Sequence, residues 1–187
     1  MRAFLAIELP SPVHAELAHL QEQLRASRAD VKWVEEHNLH LTLRFLGAIG
    51  DAERALVESA GHHAVATLSP LTIELSQVGA FPSASSPRVV WVGIDQGRAL
   101  LEALAADVEQ GLVAAGLPAE DKRFSAHVTI GRVRSPRGRS ELVRAMREAA
   151  WAPPAPFVVD HLTLFRSDLG SSGPTYSVVN TFRFGAG

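Results

Sequence analysis

Two tetrapeptides of one pattern, His40-Leu41-Thr42-Leu43 and His127-Val128-Thr129-Ile130, stand 87 residues apart in the chain. Side chains alternate between the two faces of a β-strand, so each copy directs its histidine and threonine to one face and its aliphatic pair to the other. Each copy therefore predicts a strand that buries two aliphatic side chains and presents one imidazole and one hydroxyl. Two such strands facing each other would hold two imidazoles across a cleft, where they can transfer protons in both directions near neutral pH.

Two imidazoles and two hydroxyls suit the hydrolysis of a phosphodiester without a metal. A neutral imidazole accepts a proton from the attacking water, and a protonated imidazole gives one to the departing oxygen. The threonine hydroxyls can donate hydrogen bonds to non-bridging phosphate oxygens and so orient the group for in-line attack. Other chemistries lack their motifs, because the sequence has no cysteine, no Gly-x-Ser-x-Gly elbow, no P-loop and no carboxylate-rich cluster typical of a metal centre.

A third copy of the pattern, His161-Leu162-Thr163-Leu164, repeats the first letter for letter. The two halves of the chain follow a similar pattern, and this internal duplication distinguishes the third copy from the other two. A buried strand precedes both His40 and His127 by the same 33 residues, whereas His161 corresponds to Pro70. We therefore expect His161 at a strand start near the surface, outside the catalytic pair. Five further histidines are predicted to lie on solvated surfaces: His14, His19, His37, His62 and His63.

The elements that must position the two motifs follow one order twice. In the first half we expect the strand Phe4–Leu9, a helix capped by Ser11, the strand Val31–Val34, the His40 strand ending at Gly47, a helix from Asp51 to Leu68 and the strand Leu71–Val78. The segment Gly79–Pro87 has the composition of a loop. In the second half we expect the strand Val89–Ile94, a helix from Leu100 to near Gly116, the His127 strand, a helix from Ser140 to Ala150, and closing strands at Phe157–Phe165 and Tyr176–Phe184.

The order of elements predicts an α+β fold of two related, pseudo-symmetric lobes that share one cleft. We treat residues 1–187 as one bilobal domain of two intertwined repeats, about 1–80 and 88–187, with both His-x-Thr motifs in a central cleft. The composition, with 47% hydrophobic and 20% charged residues, is that of a globular protein. A net charge of −2 gives no global attraction to nucleic acid, so any basic surface must be local.

The flanking residues of the two motifs resemble a known family. Around the first motif, the segment is Val31-Lys32-Trp33-Val34-Glu35-Glu36-His37-Asn38-Leu39-His40-Leu41-Thr42-Leu43-Arg44-Phe45-Leu46-Gly47. Around the second, it is Phe124-Ser125-Ala126-His127-Val128-Thr129-Ile130-Gly131-Arg132-Val133. Both resemble the two-histidine (2H) phosphoesterase superfamily, and in particular the RNA 2′,3′-cyclic phosphodiesterases once called 2′-5′ RNA ligases. The resemblance extends from the opening strand to Tyr176-Ser177-Val178.

The resemblance implies a fold of two antiparallel sheets flanked by helices, with both motifs in a central cleft, and it implies an activity and a role for each site residue. It implies hydrolysis of a 2′,3′-cyclic phosphate at an RNA end to a 2′-phosphate, with no metal and no cofactor. His40 would be the proton donor to the 3′-oxygen, and His127 would be the proton acceptor that activates water. Thr42 and Thr129 would hold the phosphate, and Arg132 would contact the phosphate or the nucleotide.

Several residues keep two interpretations at this point. Arg44 has the strand parity of His40 and is expected either to line the cleft or to lie at a solvated edge. Ala126 stands where the family often has proline, which changes the stiffness of the loop more than its chemistry. The candidates for a local basic surface are Lys122, Arg123, Arg132, Arg134, Arg137 and Arg139. The candidates for stacking on a base, which otherwise pack in the core, are Phe81, Phe124 and Tyr176.

Three functions remain open on the sequence alone. The first is hydrolysis of cyclic phosphate ends on RNA. The second keeps the site but takes small cyclic nucleotides or 2′-5′ linked oligonucleotides, with ligation as a reverse reaction. The third is an RNA-binding protein without turnover. A cytoplasmic monomer that binds no membrane is the default expectation, because the N-terminal apolar run is too short for a signal peptide and no segment is long enough to cross a bilayer.

Overall fold

The computed structural model describes residues 1–171 and 173–185, which form ten strands and four helices. The strands are β1 (Arg2–Glu8), β2 (Val31–Trp33), β3 (His40–Ala48), β4 (Leu71–Ile73), β5 (Leu75–Ser83), β6 (Ser86–Ile94), β7 (His127–Val133), β8 (Phe157–Val159), β9 (His161–Gly170) and β10 (Gly173–Arg183). The helices are α1 (Ser11–Arg25), α2 (Asp51–Val65), α3 (Arg98–Ala114) and α4 (Arg139–Glu148).

The strands form two four-stranded antiparallel sheets and one small sheet. The first sheet has the order β10-β9-β1-β3 and the second has the order β2-β7-β6-β5, while β4 pairs with β8 alone. The α+β class with two antiparallel sheets is thus confirmed. Each large sheet takes two strands from each half of the chain, so neither sheet belongs to one half. The division into two repeats, 1–80 and 88–187, stays a prediction.

Helices α1 and α3 each bury one apolar stripe against the core. On α1 the buried stripe is Val13, Leu17, Leu20 and Leu24, and on α3 it is Leu101, Leu104, Val108 and Leu112. These spacings of three and four residues keep one helical face toward the core. Helix α1 contacts α4, and α2 contacts α3. The predicted cap at Ser11 is wrong, because Pro10 occupies the N-cap and Ser11 is the first helical residue.

The predicted loop at Gly79–Pro87 is wrong, since most of it belongs to a β-hairpin. Strand β5 continues through Ser83 and β6 begins at Ser86, with Ser83 paired to Ser86 across the turn. Gly79 is required by packing, because a Cβ there would overlap the Trp91 indole that lies on it. Gly79 therefore marks a close approach between two strands, although the composition of the segment had predicted a loop.

Other boundaries differ by a few residues. Helix α2 ends at Val65, three residues before the expected end. The expected strand Leu71–Val78 is divided into β4 and β5, and the expected strand Phe157–Phe165 is divided into β8 and β9. Strand β9 lies beside β1 in the first sheet as β5 lies beside β6 in the second, so β9 and β5 hold equivalent positions. His161, the first residue of β9, therefore corresponds to Leu75, the first residue of β5, instead of Pro70.

Candidate active site

Strand β3 carries the first motif beside the central strand β1. His40 pairs with Glu8 and Thr42 pairs with Ala6, while Leu41 and Leu43 are buried. Paired residues of antiparallel strands project to the same face. The imidazole and the hydroxyl therefore lie together on one face of the first sheet, both half-buried, as the alternation predicted.

Strand β7 presents the second motif in the same way. His127 pairs with Gly93 and Thr129 pairs with Trp91, while Val128 and Ile130 are fully buried. Strands β3 and β7 lie against each other, so the faces of the two sheets that carry the motifs border one space, which we call the cleft. The two His-x-Thr pairs thus occupy matching positions on its two sides.

Both imidazoles are held by the same hydrogen bond. Nδ1 of His40 lies 2.7 Å from the carbonyl oxygen of Asn38, and Nδ1 of His127 lies 2.7 Å from that of Ser125. A carbonyl can only accept, so each Nδ1 carries a proton and donates it. In the neutral ring Nε2 then has the free lone pair. Each ring is oriented by the backbone two residues before it, with Nε2 left to exchange protons.

Asn38 is fixed in turn by a contact that joins the two ends of the chain. Its side-chain Nδ2 donates a 2.9 Å hydrogen bond to the carbonyl oxygen of Pro174 at the start of β10. Asn38 is buried, and it belongs to the 3₁₀ turn that leads into β3. The turn that orients the His40 ring is therefore anchored to the far end of the same sheet.

Aromatic rings surround each imidazole. The His40 ring lies 4.8 Å from Phe4 and 5.3 Å from Tyr176, which meets it edge-on. The His127 ring lies 5.1 Å from Phe81, again edge-on, and 6.3 Å from Trp91. Such surroundings remove water, and burial is the main cause that lowers the pKa of both histidines below 6.5.

Arg132 faces the cleft because of a β-bulge. Arg132 is five residues after His127, an odd separation that in a regular strand would place it on the opposite face. A register shift between β6 and β7 leaves Ile130 as an extra residue, so Arg132 pairs with Val89 on the same face as Trp91. The bulge thus returns this guanidinium to the side of the sheet that carries the histidine.

The charge of Arg132 is felt on both sides of the cleft. It contributes to lowering the pKa of His127 on its own strand, and also that of His40 on the other sheet. It opposes the effect of burial, which raises the pKa of the Tyr176 hydroxyl. One cation therefore lies within electrostatic reach of both imidazoles, as expected of a group that binds a shared anion.

A second bulge removes Arg44 from the cleft. Ala6 pairs with Thr42, whereas Leu5 pairs with Arg44, so Leu43 is the extra residue in β3. Leu5 is fully buried and lies on the opposite face from Ala6. Parity with His40 therefore predicted the wrong face for this arginine.

The other interpretation, that Arg44 lies at a solvated edge, does not fit the structure either. Its side chain is only 11% exposed and is held by two carboxylates, with Nε 2.6 Å from Glu109 Oε2 and Nη1 3.0 Å from Glu120 Oε2. Nη2 donates to the carbonyl oxygen of Pro118. Arg44 thus clamps β3 to α3 and to the segment that follows α3.

Lys32 is a site residue that the motif analysis did not single out. It pairs with Arg132 across β2 and β7 and therefore shares the cleft face. Its Nζ lies 3.7 Å from the position that a Cβ on Gly173 would take, so it reaches toward β10 of the other sheet. The signal available in the sequence was alternation, since Lys32 stands between the inward-packing Val31 and Trp33.

His161 lies on β9, on the face that also carries His40, but its nitrogens are occupied. Nδ1 lies 2.6 Å from Asp160 Oδ1, and Nε2 lies 3.1 Å from Glu8 Oε2. Glu8 also accepts a 2.7 Å hydrogen bond from the hydroxyl of the fully buried Thr163. The third copy of the motif thus belongs to a cluster of side-chain hydrogen bonds, which distinguishes it from the two open copies.

The other candidates divide between the cleft and the surface. Tyr176 lies against the His40 ring and Phe81 against the His127 ring, whereas Phe124 packs against the hydrophobic core. Of the basic candidates besides Arg132, one, Arg139, is half-buried, and the rest are exposed: Lys122, Arg123, Arg134 and Arg137. Two of the three aromatic candidates are therefore placed beside the reacting groups.

Comparison with known proteins gives this geometry a family. The family model of the 2′-5′ RNA ligase superfamily matches residues 9–171. The chain belongs to the 2′-5′ RNA ligase superfamily. Two proteins called RNA 2′,3′-cyclic phosphodiesterase are similar over nearly their full lengths. The protein of Methanothermobacter thermautotrophicus is 31% identical over 98% of each chain, and that of Archaeoglobus fulgidus is 34% identical over 97% of this chain and 99% of its own.

Solved structures of superfamily members share the fold. A protein of Thermus thermophilus superposes with a TM-score of 0.79 at 29% identity, covering 99% of this chain and 98% of its own. Escherichia coli LigT, solved with 3′-AMP, superposes with a TM-score of 0.76 at 23% identity, covering 98% and 97%. Both solved structures therefore share the fold of this chain over nearly its whole length.

A metal-binding cluster and a membrane-spanning helix are both absent from the described residues. No group of three or more histidine and carboxylate side chains is placed to hold a metal ion within residues 1–171 and 173–185. None of the helices in that part of the chain is both long and apolar enough to cross a bilayer.

Proposed function

We propose that the protein is an RNA 2′,3′-cyclic phosphodiesterase that hydrolyses a terminal 2′,3′-cyclic phosphate to a 2′-phosphate without a metal. The observation that carries the proposal is the matched pair of imidazoles. His40 and His127 border one cleft, each has its Nδ1 proton held by a backbone carbonyl, and each has Nε2 free for proton exchange. Relatives called RNA 2′,3′-cyclic phosphodiesterase, similar over nearly the whole chain, support the substrate.

The reaction uses the two rings in opposite protonation states. Nε2 of neutral His127 accepts a proton from water as the water oxygen bonds to phosphorus. The bond from phosphorus to the 3′-oxygen breaks, and protonated His40 gives its Nε2 proton to that oxygen. The products are a 2′-phosphate and a 3′-hydroxyl, and the two histidines exchange their protonation states. The roles of donor and acceptor follow the resemblance of the two motifs, since the two sites are otherwise alike.

The phosphate would be held from both sides of the cleft. Thr42 and Thr129 have hydroxyls on the imidazole faces, and neither hydroxyl has a hydrogen-bond partner within the described part of the chain. Lys32 and Arg132 lie side by side, and neither has an acidic partner there. Like charges opposite each other on paired strands repel, so an anion between them is stabilised.

RNA is the substrate class that this proposal favours over small cyclic nucleotides or 2′-5′ oligonucleotides. A protein that only binds RNA is disfavoured, because binding does not require two rings with identical proton-holding contacts. We further propose that the enzyme acts as a monomer, since both halves of the site come from one chain.

The test is hydrolysis of an oligoribonucleotide that ends in a 2′,3′-cyclic phosphate, in the presence of excess EDTA. The expected product has a 2′-phosphate, identified by its resistance to an enzyme that removes only 3′-phosphates. The matched control is His161→Ala, which alters a histidine outside the pair. An absence of product, a 3′-phosphate product, or activity that is lost with EDTA would each contradict the proposal.

A further inference from the structure

The basic residues are concentrated in one segment of the chain. Residues 122–148 contain eight lysines and arginines and two acidic residues, whereas the rest of the chain contains ten basic and eighteen acidic residues. The net charge of −2 therefore hides a strongly positive segment on an acidic protein. Part of that segment is β7 with Arg132, but most of its arginines lie on or beside α4, outside the cleft.

A cavity of about 290 Å³ lies where α4 meets the tip of the β5–β6 hairpin. Three arginines and two serines supply nearly all of its polar groups, and the lining residues are Ser85, Arg139, Ser140, Val143, Arg144 and Arg147. No acidic side chain lines it. A cavity walled by guanidinium and hydroxyl donors is suited to an anion with several oxygens, such as a phosphate group.

The arginines of this cavity are largely without counter-charges. Arg139 and Arg144 form no ion pair with any residue of 1–171 or 173–185, and Arg147 makes a single contact of 3.6 Å with its neighbour Glu148. The Nε of Arg139 is buried without a hydrogen-bond partner in the same part of the chain. An anion in the cavity would therefore be attracted by three guanidinium charges that carboxylates hardly balance.

The hairpin connects this cavity to the catalytic cleft. Phe81 of β5 lies against the His127 ring, and Ser85 in the turn that follows β5 lines the cavity. Three residues lie between them, and the four steps along the chain span at most about 13 Å. A stacked nucleic acid strand rises about 3.4 Å per nucleotide, so this distance spans up to roughly four nucleotides.

We infer that the cavity between α4 and the hairpin tip binds a backbone phosphate of the RNA, a few nucleotides from the cyclic phosphate in the cleft. This inference rests on the proposed function and adds a substrate class to it, because the site favours a polynucleotide over a mononucleotide. The donors would be the guanidinium groups of Arg139, Arg144 and Arg147 and the hydroxyl of Ser140.

The test compares a long and a short substrate. The double variant Arg144→Gln/Arg147→Gln is assayed on an octaribonucleotide ending in a 2′,3′-cyclic phosphate and on a mononucleotide 2′,3′-cyclic phosphate. We expect KM for the octamer to rise roughly tenfold with unchanged kcat, and KM for the mononucleotide to stay at the wild-type value, since it does not reach the cavity. The slope of log KM for the octamer against log salt should fall by about 1.4, which is about 0.7 for each lost contact with a single strand.

The control removes the same charge elsewhere. Arg25→Gln/Arg54→Gln changes two exposed arginines on α1 and α2, and it should leave the octamer KM near the wild-type value. If the two double variants raise the KM for the octamer equally, the rise comes from the lost charge in general and not from the cavity, and the inference is overturned. Inorganic phosphate is also tested as an inhibitor of the mononucleotide reaction. Equal inhibition of the wild type and Arg144→Gln/Arg147→Gln shows that this phosphate binds in the cleft. The KM for the octamer then remains the measure of binding in the cavity.

A binding measurement separates this inference from the proposed function. Fluorescence anisotropy with a labelled octamer that already ends in a 2′-phosphate requires no turnover. If the wild type hydrolyses neither substrate but binds the octamer tenfold more tightly than Arg144→Gln/Arg147→Gln, the function is wrong and the phosphate site stands. If both substrates are hydrolysed and the double variant binds the octamer as the wild type does, the site is wrong and the function stands.

Discussion

The imidazoles of His40 and His127, which we propose as the catalytic pair, differ from the imidazole of His161 in what their nitrogens contact. His40 and His127 each use one nitrogen on a backbone carbonyl and keep the other free, whereas His161 places both against carboxylates. An imidazole between two carboxylates has no nitrogen left for a substrate. The residue type and its spacing are therefore shared by three sites, and the neighbouring acceptors decide which of them can transfer protons.

The two catalytic histidines should control opposite limbs of the pH profile. A base must be deprotonated, so activity falls at acidic pH, and an acid must be protonated, so activity falls at basic pH. We expect the acidic limb of log kcat/KM to disappear in His127→Ala and the basic limb to disappear in His40→Ala, with residual activity reduced by at least about a hundredfold. Loss of the same limb in both variants would contradict the assigned roles.

The burial of both rings places the acidic limb of the free enzyme at a lower pH than usual. Burial lowers the pKa of each histidine below 6.5, so both are mainly neutral at pH 7 before substrate binds. A bound phosphate anion would favour the charged ring and so raise the pKa of the donor.

The variant His161→Ala should retain both limbs of the pH profile. If a folded His161→Ala protein lacked either limb, the internal duplication would have excluded the wrong histidine from the catalytic pair.

Lys32 should contribute to substrate binding more than to the chemical step. It lies beside Arg132 on the cleft face, where it can meet a phosphate that is bound in both ground and transition states. Lys32→Gln is expected to raise KM about tenfold with kcat nearly unchanged, as the loss of one charge-assisted hydrogen bond of about 1.4 kcal/mol predicts. Lys122→Gln, an exposed lysine away from the paired strands, is the matched control. A fall in kcat at constant KM would place Lys32 in the chemistry instead.

At the scale of single strands, one extra residue in each motif strand decides which cation enters the cleft. The bulge at Leu43 turns Arg44 to the helices, and the bulge at Ile130 turns Arg132 to the cleft. Both arginines follow a motif histidine by a few residues, and simple alternation assigns both to the wrong face. A bulge depends on the register with a neighbouring strand, so it is decided by contacts between distant parts of the chain.

Arg44 should act on stability and not on substrate affinity. Replacing it removes the clamp of β3 on α3 and leaves the half-buried Glu109 carboxylate without its partner. We expect Arg44→Gln to lower the free energy of unfolding by about 3 kcal/mol, measured by urea denaturation. The paired change Arg44→Gln/Glu109→Gln should recover part of that loss.

Kinetics distinguish this structural role from a role in the cleft. The KM of folded Arg44→Gln for the cyclic phosphate should match the wild type within about twofold, because its guanidinium faces away from the substrate. A tenfold rise in KM at a temperature where the variant is fully folded would return Arg44 to the cleft.

The motif strands and helices could be predicted from the sequence because their information is local. The stripe on α1 and the alternation around His40 and His127 depend on residues within one element. The hairpin at Gly79–Ser86 could not be predicted, since the reason for Gly79 is the indole of Trp91 on the next strand. The same holds for Lys32, whose importance comes from pairing with Arg132, 100 residues away in sequence.

At the scale of the whole molecule, the two buried imidazoles link stability to pH. In the unfolded chain each histidine titrates near 6.5, and in the folded protein each has a lower pKa. Below 6.5 the unfolded state binds more protons than the folded state, so the free energy of unfolding increases with pH in this window. The protein is expected to be more stable at about pH 7.5 than at about pH 5.5.

The comparison of two proteins isolates this contribution. Urea unfolding of wild type and His40→Gln/His127→Gln at both pH values should show a smaller loss of stability in the double variant, because two of the groups that resist protonation are gone. His14 also has a pKa lowered by burial, so some dependence should remain. An identical dependence in the two proteins would mean that the catalytic imidazoles titrate alike in the folded and unfolded states.

The sharing of strands between the two halves has a consequence for synthesis on the ribosome. Strand β1 is made first, but its neighbour β9 is made only after residue 160, and β10 with Pro174 follows. Until those strands leave the exit tunnel, the nascent chain has an apolar edge on β1 and an unanchored turn before His40. The edge of β1 is therefore open to aggregation while residues 9–160 are being translated, and the turn that orients the His40 ring is anchored only after β10 has been added.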